Sequence, residues 1–232
     1  MNENVNPSDK PKRRYDASRR RAAADDNREA VVRTARALFL ERGYTATTMA
    51  AIAVDAGVAL DTVYSLVGAK PALFRLLIEL AISGQRAPIP AEDRGYVQSI
   101  RSAPDPLTKI RIYAHAVTEI QSRLAPLFRV LQEAARSEPD LAGLWKEIAN
   151  RRATNMRRFV ADVIGDDHAR LLPGDLTVEE AADLVWATNG PEFFLLLVDE
   201  RGWPLERFER RLVEIWAKLL LDDSGSNSGS VD

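Results

Sequence analysis

Apolar residues between positions 26 and 84 recur every three or four residues, the spacing of one helical face. Asp26 followed three residues later by Glu29 matches a capping box and predicts that the first helix opens there. Val31, Val32, Ala35, Leu38 and Phe39 form its apolar stripe, and Gly43 predicts its end. A second, short helix is expected from Thr47 or Thr48 to just before Gly57, and a third over 59–67. The fourth is expected near Lys70-Pro71, with proline in the first turn, where its missing N–H costs little, and Leu73, Phe74, Leu77 and Leu80 turned inward.

Farther along, Pro88, Pro90, Gly95, Pro104 and Pro106 mark 85–106 as a connection with room for one short helix. Longer helices follow. One is expected over 107–124, with Ile110, Ala114, Val117 and Ile120 at helical spacing. A separate one follows Pro126 over 127–135, and a third covers 141–164. A second capping box, Thr177 with Glu180, opens a helix to about Val198, which Gly190-Pro191 should kink. Pro204 then starts a last helix carrying Phe208, Leu212, Ile215, Trp216 and Leu219. With no alternating strand pattern and no internal repeat, the expected class is all-α. The expected division is a disordered arm at 1–24, a small helical domain at 25–84, a helical bundle at 85–222 and a flexible Gly/Ser tail at 223–232.

Composition sharpens this picture. With 232 residues, 46% of them hydrophobic, the chain can bury a substantial core. It has no cysteine, which rules out disulfides and thiolate metal sites and fits a reducing cytoplasm. No apolar run reaches the ~20 residues of a membrane span, and the polar, basic start does not resemble a secretory signal. Net charge is only −2 but unevenly placed. Residues 10–83 hold 13 Lys+Arg against 8 Asp+Glu, a balance of +5, and residues 84–232 hold 19 against 24, a balance of −5. A basic front on an acidic body points to an anionic partner for the front. Its densest part is Lys10, Lys12, Arg13, Arg14, Arg19, Arg20 and Arg21.

Two short helices joined at a glycine make a helix-turn-helix, a shape that places its second helix in the DNA major groove. Gly57 supplies the left-handed turn, and the small Ala53 lets the next helix cross closely. Ile52, Ala56, Val58, Val63 and Leu66 are the apolar positions that would hold the pair against the first helix. The candidate DNA-contacting residues are Thr47 and Thr48, then Ala59, Leu60, Asp61, Thr62, Tyr64 and Ser65, and Lys70. Thr62 and Ser65 can hydrogen-bond base edges or phosphates, Leu60 can touch a thymine methyl, and Tyr64 can reach a phosphate. Lys70 combines its charge with a helix N-terminus. The competing reading of glycine and apolar spacing alone is a plain corner in a helical bundle.

The stretch "AxxLFxERGYxxTTMxxIAxxAGV" followed by "DTVYxxVGxKPALF", within residues 28–80, resembles the N-terminal domain of tetracycline-repressor-type (TetR/AcrR) transcriptional regulators. Its "VYSLVGAKPALF" is similar to an actinomycete-type subgroup. The resemblance implies backbone contacts from Thr48, Tyr64 and Lys70, and base reading by the helix that begins at Ala59. It further implies a variable helical second domain that binds a small-molecule effector, a homodimer through the last two helices, and repression at palindromic operators. Two positions depart from the pattern. Ala59 stands where serine is common and gives up a helix cap of ~1 kcal/mol. Val67 replaces a common phenylalanine. Asp61 suits its helix dipole yet would repel a nearby phosphate.

For the effector, the candidate lining residues are Tyr113, Gln121, Trp145, Met156, Trp186, Asn189, Glu192 and Phe193, with His115 and Asn155 beside them. Polar groups on otherwise apolar helices need partners, and "WATNGPEFF" joins aromatics, an amide and a carboxylate at a helix break. Trp145 and Trp186 serve equally well as core. The basic arm has two readings, a phosphate- or groove-contacting segment and a solvated tail. His115 and His168 have no metal-ligand spacing, and no thiol nucleophile or phosphate loop occurs, so no cofactor, metal or catalytic residue is assigned. The rival to a regulator is a helical dimeric adaptor or small-molecule-binding protein without specific DNA binding.

Overall fold

A computed structural model describes residues 12–165, 172–173 and 176–221, all of whose regular structure is helical. The chain divides into two compact units, the boundary falling between Phe74 and Arg75.

In the first unit, α1 runs Lys12–Ala46, α2 Met49–Ala56 and α3 Leu60–Val67, and α4, Lys70–Ser83, begins there. α1 starts well before the expected position, so residues 12–24 are helical rather than a disordered arm, and Asp26 lies inside the helix instead of capping it. Alanine and arginine are among the strongest helix formers, and Arg19–Ala24 is built from them alone; charge and lack of an apolar stripe do not prevent a helix that is already nucleated downstream. Residues 1–11 and 222–232, which include the expected tail at 223–232, fall outside the described residues. Gly43, at φ 75°, breaks α1 where its end was expected, and the chain turns there toward α2. Val31, Ala35, Leu38 and Phe39 of α1, Ile52 and Ala53 of α2, Val63 of α3 and Leu73 and Phe74 of α4 are all buried. Phe39, Tyr44 and Phe74 form a triangle of rings with centroids 5.1 to 5.6 Å apart. Each such pair adds about 0.5–1.5 kcal/mol to its area burial.

The second unit holds α5 (Gly95–Ser102), α6 (Pro106–Ala134), α7 (Pro139–Ile164), α8 (Val178–Thr188), α9 (Pro191–Phe194) with a π-helical continuation over Leu195–Glu200, and α10 (Leu205–Leu220). α6 is a single helix through Pro126, not the two helices expected around it. An interior proline costs about 3 kcal/mol. Ala125, Leu127, Phe128 and Leu131 beside it are almost wholly buried, and at roughly 1.5–3 kcal/mol for each large side chain their packing outweighs that cost. Asp105 caps α6 by accepting from the Thr108 N–H at 2.9 Å. The Thr177–Glu180 capping box forms as expected, with bonds of 2.9 and 3.2 Å. Gly190-Pro191 separates α8 from α9. In α10, Phe208, Leu212, Trp216 and Leu220 recur every four residues and are buried, against a cluster that includes Tyr113 and Phe159.

Candidate nucleic-acid interface and ligand cavity

Thr48 caps α2 by accepting from the Ala51 N–H at 3.1 Å. α2 ends on Gly57 in the left-handed region, φ 69° and ψ 30°, and the Val58 N–H reaches back to the Ala53 carbonyl at 3.1 Å. Glycine adopts this backbone without the Cβ clash that penalises other residues. Three residues, Gly57 to Ala59, carry the chain into α3 at 104° to α2, inside the range of a helix-turn-helix.

That crossing sorts the residues of α3 by direction. Val63 and Val67 are buried, whereas Leu60, Asp61, Tyr64 and Ser65 are exposed and Thr62 is half-buried. Tyr64 keeps 47% exposure and Leu60 39%, unusual for such side chains in a short helix whose other apolar residues are covered. Ser65 donates to the Asp61 carbonyl at 2.8 Å, which leaves its oxygen as an acceptor on the outer face. Ala59 precedes the helix with no side-chain cap, as its sequence predicts. Lys70, the first residue of α4, lies 4.1 Å from the centre of the Tyr44 ring and reaches the Thr45 carbonyl at 3.5 Å, so its ammonium is held near the turn that precedes α2.

Thr47 does not join this surface. It is buried, and its hydroxyl donates to the carbonyls of Leu38 at 3.1 Å and Gly43 at 2.8 Å. The Gly43 break frees a carbonyl from the helical ladder, and Thr47 satisfies it. Sequence alone shows two adjacent threonines and does not say which of them faces out.

The second unit encloses a cavity of about 720 Å³, within the size range of drug-sized ligand sites. α4 contributes Glu79 and Ile82, α5 Tyr96 and Ile100, α6 Tyr113, Gln121 and Phe128, and α7 Arg151, Arg152, Asn155 and Met156; Asn189 and Pro191 close it. Of the predicted lining residues, Tyr113, Gln121, Met156, Asn189 and Asn155 are present. Trp145, Trp186, Glu192 and Phe193 are not in the lining. Trp145 packs on Phe128 at 4.5 Å, Phe193 on Phe208 at 6.0 Å, and Trp186 donates to the Ala149 carbonyl at 3.3 Å. His115 is exposed, 3.1 Å from Glu209.

One end of the cavity is a polar knot. Asn189 donates to the Tyr113 hydroxyl at 2.9 Å, and Gln121 donates to the Asn189 backbone carbonyl at 2.6 Å. Burial pushes the Tyr113 phenol far above its ordinary range, so it stays protonated. Arg152 is a lining residue that sequence reasoning missed. Its signal is the spacing: it sits four residues before Met156 and seven before Phe159, on the same face of α7. Its guanidinium lies 4.5 Å from the Trp186 ring centre and donates to the Trp186 carbonyl at 3.0 Å, and burial draws it below its ordinary range, opposed by Glu192 and Tyr113. On the outer faces of α8, the π-helical segment and α10, Leu184, Leu196 and Ile215 stay exposed, whereas Ala181, Val185, Phe208, Leu212 and Trp216 of the same apolar stretches are core.

Residues 31–77 match the family described as bacterial regulatory proteins, tetR family. No curated protein sequence matches the chain. Among solved structures, the chain is similar to NalD, the secondary repressor of the MexAB-OprM multidrug efflux pump in Pseudomonas aeruginosa, at 22% identity and TM-score 0.68 over 87% of this chain and 99% of that one. It is also similar to SmeT in its triclosan complex, at 16% identity and TM-score 0.64 over 89% and 99%. A transcriptional regulator from Rhodococcus sp. Rha1 aligns at 16% identity and TM-score 0.57 over 83% and 95%. At such identities the likeness establishes a shared fold: an all-α chain with an N-terminal helix-turn-helix domain and a helical second domain. No single helix among the described residues is long and apolar enough to cross a membrane.

Proposed function

We propose that this chain, whose N-terminal domain is of the tetR type, is a DNA-binding transcriptional regulator acting as an effector-responsive homodimeric repressor. The observation that carries this reading is the outer face of α3, where Leu60, Asp61, Tyr64 and Ser65 project together from a helix set at 104° to α2. A helix so placed enters a major groove with its polar and methyl-seeking side chains toward base edges. Thr48, Tyr64 and Lys70 supply phosphate contacts that fix its register, and Leu60, Thr62 and Ser65 supply base contacts. The helical basic start of α1 adds charge for flanking phosphates.

One eight-residue reading helix offers too little contact for useful specificity, so two heads on a palindromic site complete the function. Leu184, Leu196 and Ile215 give the second unit an outward apolar surface suited to a two-fold helical interface. The cavity would receive the effector, and its occupation would weaken operator binding; the triclosan bound by SmeT offers a parallel in a protein of the same fold.

The test is fluorescence anisotropy of the full chain on DNA from upstream of its own gene, over a range of salt. Sequence-selective binding with a steep negative salt dependence supports the reading. A dimer that binds no duplex even at low salt would leave the helical adaptor in its place.

A further inference from the structure

The polar knot of the cavity contains three buried atoms without a hydrogen-bond partner: Gln121 Oε1, Asn189 Oδ1 and Arg152 Nε. All three residues line the cavity, and Gln121 and Asn189 are each only 3% exposed. The Gln121 orientation is fixed, because its other end faces a backbone carbonyl, which only accepts. Buried polar groups are ordinarily satisfied, and an orphaned one costs about as much as a lost hydrogen bond. What is missing here is specific: a hydrogen-bond donor for the Gln121 carbonyl oxygen and an acceptor for one guanidinium N–H; the Asn189 amide, turned over, accepts from the Tyr113 hydroxyl and sets no such requirement.

Charge narrows the choice. Arg94, Arg101, Arg151, Arg152 and Arg158 border the cavity, with Glu79, Glu92 and Asp162 as its acids. Glu79 is already paired with Arg151 at 2.8 Å and Asp162 with Lys109 at 3.4 Å, and Glu92 is exposed. Among the described residues no carboxylate makes an ion pair with Arg152, but the Glu192 carboxylate comes close: a Cβ on Gly190 would lie 2.8 Å from Glu192 Oε2 and 3.1 Å from Arg152 Nη2, and the Glu192 charge offsets part of the desolvation of Arg152. Five arginines against three acids leave the lining net positive, and Glu192 does not reach Arg152 Nε, so a cationic ligand would meet excess positive charge in a desolvated site and an anionic one would supply the missing acceptor. Arg152 and the Asn189–Gly190 segment are close, since a Cβ on Gly190 would lie 3.1 Å from Arg152 Nη2. The anionic and the donating groups of the ligand therefore belong near each other. The remaining wall, with Ile100, Val117, Leu124, Phe128 and Ile148, is apolar.

We propose that the cavity binds an apolar carboxylic acid bearing a hydroxyl within a few carbons of the acid group, the carboxylate on Arg152 and the hydroxyl donating to Gln121. This rests on the reading of the cavity as the effector site and names the chemistry it takes.

The test is isothermal titration of the full chain with four ten-carbon-chain probes: 3-hydroxydecanoate, decanoate, methyl 3-hydroxydecanoate and decylammonium. Each missing hydrogen-bonding or charged function should cost about tenfold in affinity, so the hydroxy acid binds most tightly and the amine most weakly. Arg152→Gln should remove the advantage of the acid over its methyl ester, and Gln121→Met the advantage of the hydroxy acid over decanoate. Retained ester binding shows that the variant cavity is intact, and the wild-type series decides alone if a variant fails to fold. Equal or tighter binding of the ester or the amine overturns the proposal, as does no binding of any probe at about 1 mM, a concentration at which even a weak millimolar site is half-filled. Operator release by the same probes is measured separately by gel shift. Hydroxy-acid binding that leaves the DNA complex intact would keep the ligand chemistry and remove the effector role. Release by the amine and not by the acid would do the reverse.

Discussion

Replacing Thr47 by valine separates a structural threonine from a DNA contact. The side-chain shape is kept and the hydroxyl is removed, together with its bonds to the Leu38 and Gly43 carbonyls at 3.1 and 2.8 Å. The Leu38 carbonyl lies in the regular part of α1 and keeps its helical partner. The Gly43 carbonyl lies at the break, where φ is 75° and the ladder is interrupted. The Gly43 carbonyl is only partly buried, so leaving it unsatisfied costs at the low end of the buried-acceptor range, about 1 kcal/mol, and the added methyl recovers little in a site already 1% exposed. A loss of about 1 kcal/mol lowers the melting temperature of a chain this size by roughly 2–4 °C. Circular-dichroism melting reads the stability, and anisotropy below the transition reads operator affinity at several salt concentrations. The expected variant melts early, yet binds DNA with unchanged affinity and salt slope while folded. A variant that melts like the parent and binds DNA tenfold more weakly would place Thr47 on the DNA and refute the assignment.

Tyr64→Phe and Lys70→Ala should weaken binding on every sequence, with the lysine change reducing the salt slope by about 1, whereas changes at Leu60 or Thr62 should alter which sequence is preferred; a Lys70 variant with altered preference and intact affinity would reverse these roles. Removal of residues 1–24 should weaken operator binding and flatten its salt dependence by about 0.9 for each phosphate that is no longer neutralised, and an unchanged slope in the gel-shift titration would make the basic start of α1 a solvated helix. Arg75 donates to Glu147 at 2.7 Å and holds that carboxyl below its ordinary value. A depressed carboxyl contributes stability at neutral pH and loses it as the pH falls below ~4.3. Glu147→Gln should therefore flatten the acid limb of a melting-temperature profile while costing only ~0.2–1 kcal/mol at neutral pH, because both side chains are nearly half exposed.

The helix-turn-helix was legible because its determinants are local: Gly57 needs its left-handed backbone, and Ile52, Ala53, Val63 and Val67 repeat on one face. The helical start of α1 was not legible from composition. A charged segment with no apolar stripe looks unstructured, yet arginine and alanine extend a helix that Val31 and Ala35 already anchor. Pro126 reads as a break in the sequence because the packing that retains it, through Ala125 and Leu127, comes from other parts of the chain. The cavity was half legible. Polar residues on apolar helices, Tyr113, Gln121 and Asn189, stand out by their need for partners. Trp145 and Trp186 were not separable from core residues, since an aromatic side chain does not encode which of two neighbouring faces it fills. Arg152 hides in "NRRATNMRRF", where four arginines look like one solvated stripe and only the four-residue step to Met156 sets Arg152 on the buried face.

Selection of binding sites from random duplex DNA by the full chain bears on everything proposed for α3 and for the dimer at once. A pair of α3 helices in successive major grooves should enrich one inverted repeat whose half-sites lie about one helical turn apart. Recovery of an unenriched pool at low salt, by a chain that is folded and dimeric, would show that no such pair reads DNA.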